Sequence, residues 1–423
     1  MKGFWGKVTK ILLFLLILLI PTQLGKHFWF DWSTVLGIRI DYFSPTFYLV
    51  DLVFVLWLIT NLLAESKKRK WEVSFWCLLG LVFVGINILV SINKWVAVYK
   101  WLRVVELGYF WFWVVKNKRI VGDIMIKVIP YWIILESLLA LGQISKGGSL
   151  NGLWWFLGER RFDFNTIGIA QMSVVNTGLV RAYGTFSHPN SLAGFLLVGL
   201  VWWIRNKPLS PDKSGQLPLK KGAVLEKIKW WGVFWLGLMG IFLTGSRTIW
   251  FLTLGVMCFW FWQNDWKIRN KIKFVVLGLI LILFLLKLVD FNYPLGNFFG
   301  GWDENGMIKR GQLNLAAIEM IRQSPWVGVG LGNYLANLPN VLKNNHTFWL
   351  QPVHNIFLLL VSEVGILGLM GTILLLAKKI KWGDLGKWSW VVLGVIFMSG
   401  MVDHYWFTLP QNMWLLSLVL ALV

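Results

Sequence analysis

His354 is, by residue type and position, the strongest candidate for a general base in this chain. It opens a long apolar run directly after Gln351-Pro-Val, and histidine is the one side chain whose ordinary pKa lies near neutrality. Pro352 fixes the backbone just before this run, so we predict His354 and Asn355 at the mouth of a helix rather than inside it. The alternative is that His354 only caps that helix. The other polar residues of the chain provide the observations that distinguish a general base from a helix cap.

Four further segments carry candidates for the same site. In chain order, their polar residues are Arg181, His188, Asn190, Arg247, Arg310, Asp403 and His404. Each alone is compatible with an ordinary surface charge. Arg247 is the hardest to explain in that way, because Thr244–Arg247 forms a very short turn between two apolar runs and a fixed charge there needs a partner. Several arginines facing one histidine indicate a site for a doubly charged phosphate group beside a general base.

The composition predicts a membrane protein. Of 423 residues, 57% are hydrophobic and only 14% are charged, and 30 Trp and 30 Phe would suit helices anchored at two membrane interfaces. Apolar runs of about 18 or more residues recur along the chain, which is the pattern of a polytopic α-helical protein. The net charge of +21 lies mainly in short Lys/Arg clusters between these runs. That distribution is the positive-inside pattern, and it argues against a groove for nucleic acid.

We therefore predict an all-α, polytopic integral membrane protein that forms a single domain over residues 1–423, with about twelve transmembrane helices. The predicted spans are 11–20, 43–64, 72–92, 95–116, 121–145, 187–204, 229–244, 246–263, 274–290, 354–377, 388–403 and 408–423. The basic clusters place both termini and the loop 205–228 in the cytoplasm. Two larger loops, 146–186 and 291–353, are then extracytoplasmic, and the second carries a helix from about Asn305 to Gln323.

Among the ionisable residues inside predicted spans, five are candidates for a functional role. Lys100, Arg103 and Glu106 share one span, where they either pair with one another and reach for the interface or line a slot through which a lipid phosphate enters. Glu136 and Glu363 are intramembrane carboxylates, a class of residue that is usually functional. A structural hydrogen bond to serine or backbone is an equally good explanation for these two.

Several familiar catalytic patterns do not occur. The glycine-rich segment Gly328–Gly332 follows a predicted helix rather than a strand and lacks the lysine of a nucleotide-binding phosphate loop. No Asp-x-Asp pair is present to hold a metal-bound nucleotide sugar, and neither a nucleophile elbow nor a His-Glu-x-x-His motif occurs. A transporter is the competing class, but the sequence shows no inverted repeat and no obvious pair of broken helices.

Four of these segments together resemble the O-antigen ligase and polymerase superfamily. They are Arg181–Asn190 (Arg-x-x-Gly-Thr-Phe-x-His-Pro-Asn), Thr244–Arg247, Pro325–Gly332, and His354-Asn355 followed by Gly365-x-x-Gly368. The last matches the family's His-Asn/Ser/Gln, nine residues, Gly-x-x-Gly pattern without a gap. Each motif is short, but their order and the loop sizes are specific, and the likeness covers most of the chain.

The resemblance implies a metal-independent, inverting glycan transfer that needs no cofactor. The donor would be an undecaprenyl-diphosphate-linked glycan, and the acceptor a lipid, glycan or protein at the outer side of the bacterial plasma membrane. Arg247 and Arg310 match the family's essential arginines and His354 its proposed base, while Arg181 belongs to the motif with a less settled role. Ligase and polymerase share donor and base and differ only in acceptor; the histidine pattern at 354–368 favours a ligase.

The remaining candidates are assigned to substrate binding. A diphosphate held by arginines needs no metal, because fixed guanidinium groups can stabilise the charge that develops as the anomeric C–O bond breaks. His188, Asn190, Asp403 and His404 are then expected to contact the acceptor or to orient His354. The expected partners also include the membrane lipids that surround the protein, and no nucleic acid is expected.

Overall fold

A computed structural model describes most of the chain. The described residues are 2–64, 75–174, 177–206, 221–263, 304–342 and 350–423, with a few positions between 268 and 280. The predicted span 274–290, most of the predicted cytoplasmic loop 205–228 and the first part of the predicted outer loop 291–353 lie outside them. The organisation into one domain with three named loops therefore stays a prediction.

The described residues are mostly helical, as the sequence predicts. The helices are α1 (Lys2–Leu18), α2 (Leu49–Ala64), α3 (Phe75–Val90), α4 (Lys94–Lys116), α5 (Lys118–Lys146), α6 (Leu153–Phe156), α7 (Pro189–Arg205), α8 (Lys221–Leu243), α9 (Arg247–Gln263), α10 (Glu304–Gln323), α11 (Tyr334–Val341), α12 (Ile356–Lys379), α13 (Lys387–Gly400), α14 (Tyr405–Thr408) and α15 (Pro410–Leu422). Single 3-10 turns lie at Asp31–Ser33 and Trp382–Asp384.

Two of these helices, α5 and α12, are both long and apolar enough to cross a bilayer. Shorter apolar stretches occupy Leu49–Ala64, Leu78–Val90, Ile228–Leu243, Lys387–Gly400 and Pro410–Leu422. An apolar segment needs about 20 residues to span the hydrocarbon core without thinning it, so the shorter helices do not establish further spans by themselves. The number of twelve spans remains a prediction.

Short antiparallel strands, which the all-α prediction omits, connect some of the helices. β1 (Gly25–His27) pairs with β4 (Thr46–Tyr48), and β2 (Thr34–Val35) pairs with β3 (Ile38–Arg39). β5 (Gln171–Val174) pairs with β6 (Thr177–Val180). These runs are only two to four residues long, too short for a period-two hydrophobic pattern to stand out from the sequence.

Helix α7 is the centre of the described core. Its residues from Pro189 to Ile204 are buried except for Asn190 at its start, and a helix that is apolar on every side is a buried one. It packs against α5, α8, α9 and α13. The first turn of α7 is therefore held firmly by four neighbours, and the segment that leads into it, 181–188, has a rigid support.

Helix α12 is interrupted at Gly365, the first glycine of the Gly365-x-x-Gly368 motif. Its φ of 67° lies in the left-handed region, and a Cβ there would come within 2.3 Å of the backbone of Trp326. The segment 325–330 lies against the break and satisfies the backbone groups that it frees. The bonds run from Val329 N–H to Ser362 O, Gly330 N–H to Glu363 O, Ile366 N–H to Pro325 O and Leu367 N–H to Trp326 O.

The glycines of segment 325–332 adopt the conformations that this docking requires. Gly328, Gly330 and Gly332 have φ values of 68°, 101° and 74°, which L-residues with a Cβ rarely adopt. The tight turn predicted here is thus present. A broken membrane helix is also a feature of transporters, but the freed groups of α12 bond to a docked segment and do not line an open pathway.

Candidate active site

Helix α5 anchors the segment 181–187 through two polar side chains on one face. The side-chain oxygen of Gln143 accepts hydrogen bonds from the N–H groups of Tyr183 and Gly184 at 2.9 and 2.8 Å. Two turns earlier, Glu136 accepts from the N–H and the hydroxyl of Thr185 at 2.9 and 2.7 Å. Glu136 therefore has the structural role that the sequence left open. Its carboxylate holds a loop in place rather than a substrate.

A continuous chain of contacts joins this loop to two other segments. The guanidinium of Arg181 donates to Thr244 O and to the side-chain oxygen of Asn190, both at 2.6 Å. The amide of Asn190 donates in turn to Oδ2 of Asp403 at 2.7 Å. Arg181 and Asn190 thus connect the turn before α9 to the segment after α13, across 63 and 213 positions of sequence.

This chain of contacts ends at His354. Its Nδ1 lies 3.5 Å from Oδ1 of Asp403, within ion-pair distance, but among the described residues that nitrogen has no partner in hydrogen-bond geometry. The next residue, Asn355, caps α12 by accepting from Phe357 N–H and Leu358 N–H at 2.9 and 3.0 Å. The capping function thus belongs to Asn355, which leaves the imidazole of His354 free of it.

Asp403 is buried and negatively charged. Burial alone would raise the pKa of its carboxyl, but the contact with His354 and the proximity of His404 hold that pKa well below its usual range. The backbone N–H of His404 also donates to Oδ1 at 2.8 Å. A carboxylate beside Nδ1 fixes the imidazole tautomer, so that the other ring nitrogen, Nε2, is the basic one.

Two more histidines surround this pair. The ring of His404 lies 5.1 Å from that of His354, and its Nδ1 is 2.7 Å from the hydroxyl of Thr408. Burial lowers the pKa of His404 to about 3 and that of His188 to about 4. Both are therefore neutral near pH 7. Nδ1 of His188 accepts from Asn190 N–H at 3.2 Å, which makes His188 the N-cap of α7.

The arginines of the site fall into two kinds. Arg181 is largely enclosed by the contacts described above. Burial, together with the positive charges of Arg247 and Arg310, lowers its pKa to about 10, which leaves it charged at neutral pH. Arg247 begins α9, Arg310 lies in the first half of α10, and both are exposed. Within the described part of the chain neither guanidinium has a hydrogen bond or an ion pair. Arg310 also lies near enough to His188 and His404 to affect their pKa.

The two basic residues of α4 differ from one another. Arg103 is fully engaged: it binds both carboxylate oxygens of Asp51 at 2.5 and 2.6 Å, Glu106 at 2.7 Å and Thr46 O at 2.6 Å. Lys100, one turn earlier, has no hydrogen bond or ion pair to any described residue, and its ammonium lies 5.4 Å from the ring of Tyr99. For Arg103 the structure favours the pairing alternative over direct substrate contact.

Glu363, the second carboxylate inside a predicted span, has backbone partners. It accepts from Gly332 N–H at 2.8 Å and from Tyr334 N–H at 3.3 Å, at the beginning of α11. It therefore satisfies N–H groups at the start of a short helix. Like Glu136, it fits the structural alternative.

A cavity of about 530 Å³ adjoins the site. Its lining includes His188, His354, Asp403 and His404 at one end. Lys100, Arg103 and the tyrosines at 42, 48 and 99 also line it, and Leu107, Met413 and Trp414 add apolar surface. The cavity thus combines a candidate base with aromatic, polar and apolar walls.

His354, Asp403 and His404 also form a group that could hold a metal ion, because one ligand atom from each lies within 4.8 Å of the others. A zinc ion bound at about 2.1 Å to each ligand would bring any two of them to within about 4.2 Å. Both oxygens of Asp403 already accept hydrogen bonds, from Asn190 and the backbone of His404, and Nδ1 of His404 contacts Thr408. These contacts favour an acid–base pair over a metal centre.

Sequence reasoning missed several residues of this region. Asp51 pairs with Arg103, Gln143 holds the loop, and Tyr42 stands edge-on to His404 with ring centroids 5.9 Å apart. Asp51 follows the hairpin at the start of an apolar run and reads as a surface charge. None of the three belongs to a motif, so only their position in the fold reveals them.

Two comparisons bear on the identity of the chain. Residues 232–373 match the O-antigen ligase family model. A general O-oligosaccharyltransferase of Acinetobacter baylyi is 27% identical over 223 residues, which cover 48% of this chain and 36% of that protein. The chain thus spans about a third of the length of this curated relative.

The resemblance predicted from the motifs is therefore confirmed: the chain is similar to the O-antigen ligase superfamily, whose members are glycosyltransferases of polysaccharide biosynthesis. The residues matched by the family model include Arg247, Arg310 and His354 and end before Asp403. At the level of the family, the comparisons support an O-antigen ligase-like function.

Proposed function

We propose that the protein transfers a glycan from an undecaprenyl-diphosphate donor to an acceptor hydroxyl or amine at the outer face of the bacterial plasma membrane, as an O-antigen ligase-like enzyme. The observation that carries the proposal is the His354–Asp403 pair together with the exposed guanidinium groups of Arg247 and Arg310, which have no partner in the described part of the chain. Similarity to the O-antigen ligase family over the residues that contain His354 and both arginines supports it.

In this mechanism His354 is the general base. The acceptor oxygen or nitrogen attacks the anomeric carbon of the donor from the face opposite the diphosphate and forms the new bond, which inverts the configuration. The proton of the acceptor passes to Nε2 of His354, and Asp403 stabilises the imidazolium that results. The bonding electrons of the broken C–O bond leave with the diphosphate.

The arginines stabilise the leaving group. Negative charge grows on the bridging oxygen of the diphosphate as the bond breaks, so a fixed guanidinium binds the transition state more strongly than the ground state. Arg247 and Arg310 are assigned this role because their donors are free among the described residues. Arg181 already donates to Thr244 and Asn190, so we assign it to positioning Asp403 and, through it, His354.

Metal independence is part of the proposal. Two arginines supply the positive charge that a divalent cation supplies in other glycosyltransferases, and a diphosphate is already a good leaving group. The remaining predicted contacts, from His188, His404 and Lys100, are assigned to the acceptor side, because these residues line the cavity next to His354.

A polymerase of the same superfamily is the second candidate, and the free ammonium of Lys100 favours it. A polymerase must hold two polyprenyl diphosphates and so needs basic groups at two separate places. A lipid-linked glycan transporter is a weaker candidate, because the groups freed by the break in α12 are bonded to segment 325–330.

The deciding experiment uses purified protein, a polyprenyl-diphosphate-linked glycan and an acceptor. Release of undecaprenyl diphosphate together with a glycosylated acceptor supports an enzyme, and movement of intact donor across vesicles without release supports a transporter. In a strain that lacks the protein, accumulation of long lipid-linked chains indicates a ligase. Accumulation of single lipid-linked repeats indicates a polymerase.

A further inference from the structure

The cavity beside His354 does not include the arginines assigned to the leaving group. Its lining contains His354, Asp403 and His404, but neither Arg247 nor Arg310. The two guanidinium groups thus lie outside the lining of this cavity, whereas the candidate base lies in it. A base that takes the acceptor's proton must contact the acceptor, so a cavity lined by His354 and free of the leaving-group arginines is suited to the acceptor.

Lys100 contributes an ammonium to this cavity that has no hydrogen bond or ion pair among the described residues, although Glu363 lies near enough to interact with it electrostatically. Its stem packs on Gly332, where an added Cβ would come within 2.6 Å of the lysine Cγ. No described carboxylate lies within ion-pair distance of its ammonium. Arg103, on the same helix and the same cavity, is by contrast occupied by Asp51 and Glu106. A partly buried ammonium without a partner is costly unless a ligand supplies the counter-charge.

The other walls have the chemistry of a saccharide site. Tyr42, Tyr48 and Tyr99 line the cavity together with Trp155 and Trp414. Aromatic faces cover the apolar C–H faces of sugar rings, and tyrosine hydroxyls bond to sugar hydroxyls. The phenol of Tyr42 has no hydrogen-bond partner within the described residues, and burial raises its pKa above the ordinary value. It therefore stays protonated and can donate.

The other charged groups of the cavity either have partners or face solvent. Glu159 accepts hydrogen bonds from the backbone N–H groups of Leu150 and Asn151 at 2.7 Å. Arg160 is exposed and donates to Ser187 O at 3.3 Å, and Asp41 is an exposed carboxylate. Of the cavity's charged groups in the described part of the chain, Lys100 is the one that is enclosed and has neither a hydrogen bond nor an ion pair; the nearby Glu363 already bonds to the backbone N–H groups of Gly332 and Tyr334 and does not line the cavity.

We propose that the cavity binds the acceptor and that the acceptor is a saccharide bearing an anionic group, a phosphate or a carboxylate, which pairs with the ammonium of Lys100. The inference rests on the proposed function and adds the chemical class of its acceptor. The acceptor hydroxyl forms the bond to the anomeric carbon, its proton goes to His354, and the diphosphate leaves with the bonding pair. The anionic group is bound but takes no part in the bond changes.

The test measures binding and turnover separately on the full chain in lipid nanodiscs. Binding of glucose 6-phosphate, glucuronic acid and glucose is measured by calorimetry for the wild type, Lys100→Met and Lys100→Arg. Lys94→Met, an exposed lysine at the start of the same helix, is the matched control. The two anionic probes distinguish a phosphate from a carboxylate.

We expect the wild type to bind at least one anionic sugar roughly 10-fold to 100-fold more tightly than glucose, the range of one charge-assisted hydrogen bond. Lys100→Met should abolish this preference without changing glucose binding, Lys100→Arg should retain most of it, and Lys94→Met should leave it unchanged. Equal affinity for all three sugars, or equal effects of Lys100→Met and Lys94→Met, would overturn the inference.

Turnover separates this inference from the proposed function. Release of undecaprenyl diphosphate is followed with neutral and anionic acceptors, and Lys100→Met should raise KM for the anionic acceptor alone. A protein that releases diphosphate but shows no Lys100-dependent preference would refute the anionic acceptor only. A protein that binds anionic sugars through Lys100 but releases no diphosphate with any acceptor would refute the enzymatic function and leave the anion site in place.

Discussion

Arginines at two places in this molecule have opposite surroundings. Arg103 in α4 is enclosed by Asp51, Glu106 and a backbone carbonyl. Arg247 and Arg310 are exposed and have no hydrogen bond or ion pair among the described residues. The first arginine has all its interactions within the protein, whereas the donors of the other two have no partner among the described residues and are available to a ligand.

The difference shows why charge inside an apolar chain is not by itself a sign of function. A buried guanidinium must have its counter-charge in the fold, because an unpaired one costs several kcal/mol, on the order of 3–5 when one partner is removed. An exposed guanidinium at a helix start is under no such requirement. We therefore expect substitutions at Arg103 to act on stability and substitutions at the exposed arginines and His354 to act on turnover.

His354→Ala should have the largest effect on turnover. Loss of a general base costs about 10²–10⁴-fold, while the melting temperature should change little, because Asn355 and not His354 caps α12. The measurement is diphosphate release per mole of folded protein, with the melting temperature recorded on the same sample. Turnover near the wild-type rate would mean that His354, like Arg103, has a structural role and is not the general base.

Arg247→Lys should reduce turnover by about 10²–10³-fold, the usual effect of removing one donor to developing negative charge. Lysine keeps the charge but loses the planar fork that binds a diphosphate through two hydrogen bonds. Arg322→Lys is the matched control, since Arg322 is also exposed, lies on the same helix as Arg310, and is 3.8 Å from Glu319. Equal turnover in the two variants would remove the distinction between these arginines.

Arg103→Met should act on stability, in contrast to the variants that act on turnover. It leaves the buried carboxylate of Asp51 without its partner, and we expect a loss of about 3–5 kcal/mol in the free energy of unfolding. The double variant Asp51→Asn with Arg103→Met should recover part of that loss. The readout is thermal unfolding in detergent. A stable Arg103→Met protein with no turnover would mean that Arg103 acts on the substrate.

A smaller effect concerns acid stability. The pKa of His188 is lowered to about 4 in the folded protein by burial, so unfolding below about pH 6.5, its ordinary value, takes up a proton. Stability should therefore fall as the pH is lowered from 6.5 towards 4, by up to about 1.4 kcal/mol per pH unit for this residue. His188→Asn keeps an N-cap acceptor for α7 and should flatten that slope. An unchanged slope would contradict the burial of a neutral His188.

Chelation should have the smallest effect of all. If arginines hold the diphosphate and Asp403 orients His354, turnover should be unchanged in excess EDTA. Loss of turnover in EDTA that magnesium, manganese or zinc restores would instead assign His354, Asp403 and His404 to a metal centre. It would also remove the reason for leaving Arg247 and Arg310 unpaired.

Hydrophobicity predicted the helices well where they are long. The predicted spans 121–145 and 354–377 correspond to α5 (Lys118–Lys146) and α12 (Ile356–Lys379). Such segments are specified by their own composition, because each must be apolar along its length. The three short strand pairs were missed, since a strand of three residues depends on its partner more than on its own sequence.

The sequence predicted which residues belong to the candidate site but did not predict the role of each residue. His354, Asp403, Asn190 and Arg181 were singled out by type and position, and the structure brings them into one chain of contacts. That Arg181 positions a neighbour, or that Arg103 is neutralised by Asp51, depends on contacts between residues 52 or more positions apart. The sequence pattern around each residue carries no information on contacts between residues so far apart.

The break at Gly365 also has a consequence for the biogenesis of the protein. If α12 crosses the bilayer as predicted, the N–H and C=O groups freed at Gly365 would each cost several kcal/mol in lipid if they stayed unbonded. The segment 325–330 that bonds to them is synthesised before α12. We therefore expect this segment to be folded against α12 when the helix enters the bilayer. A lengthened or shortened 325–330 segment would then impair assembly even with every catalytic residue intact.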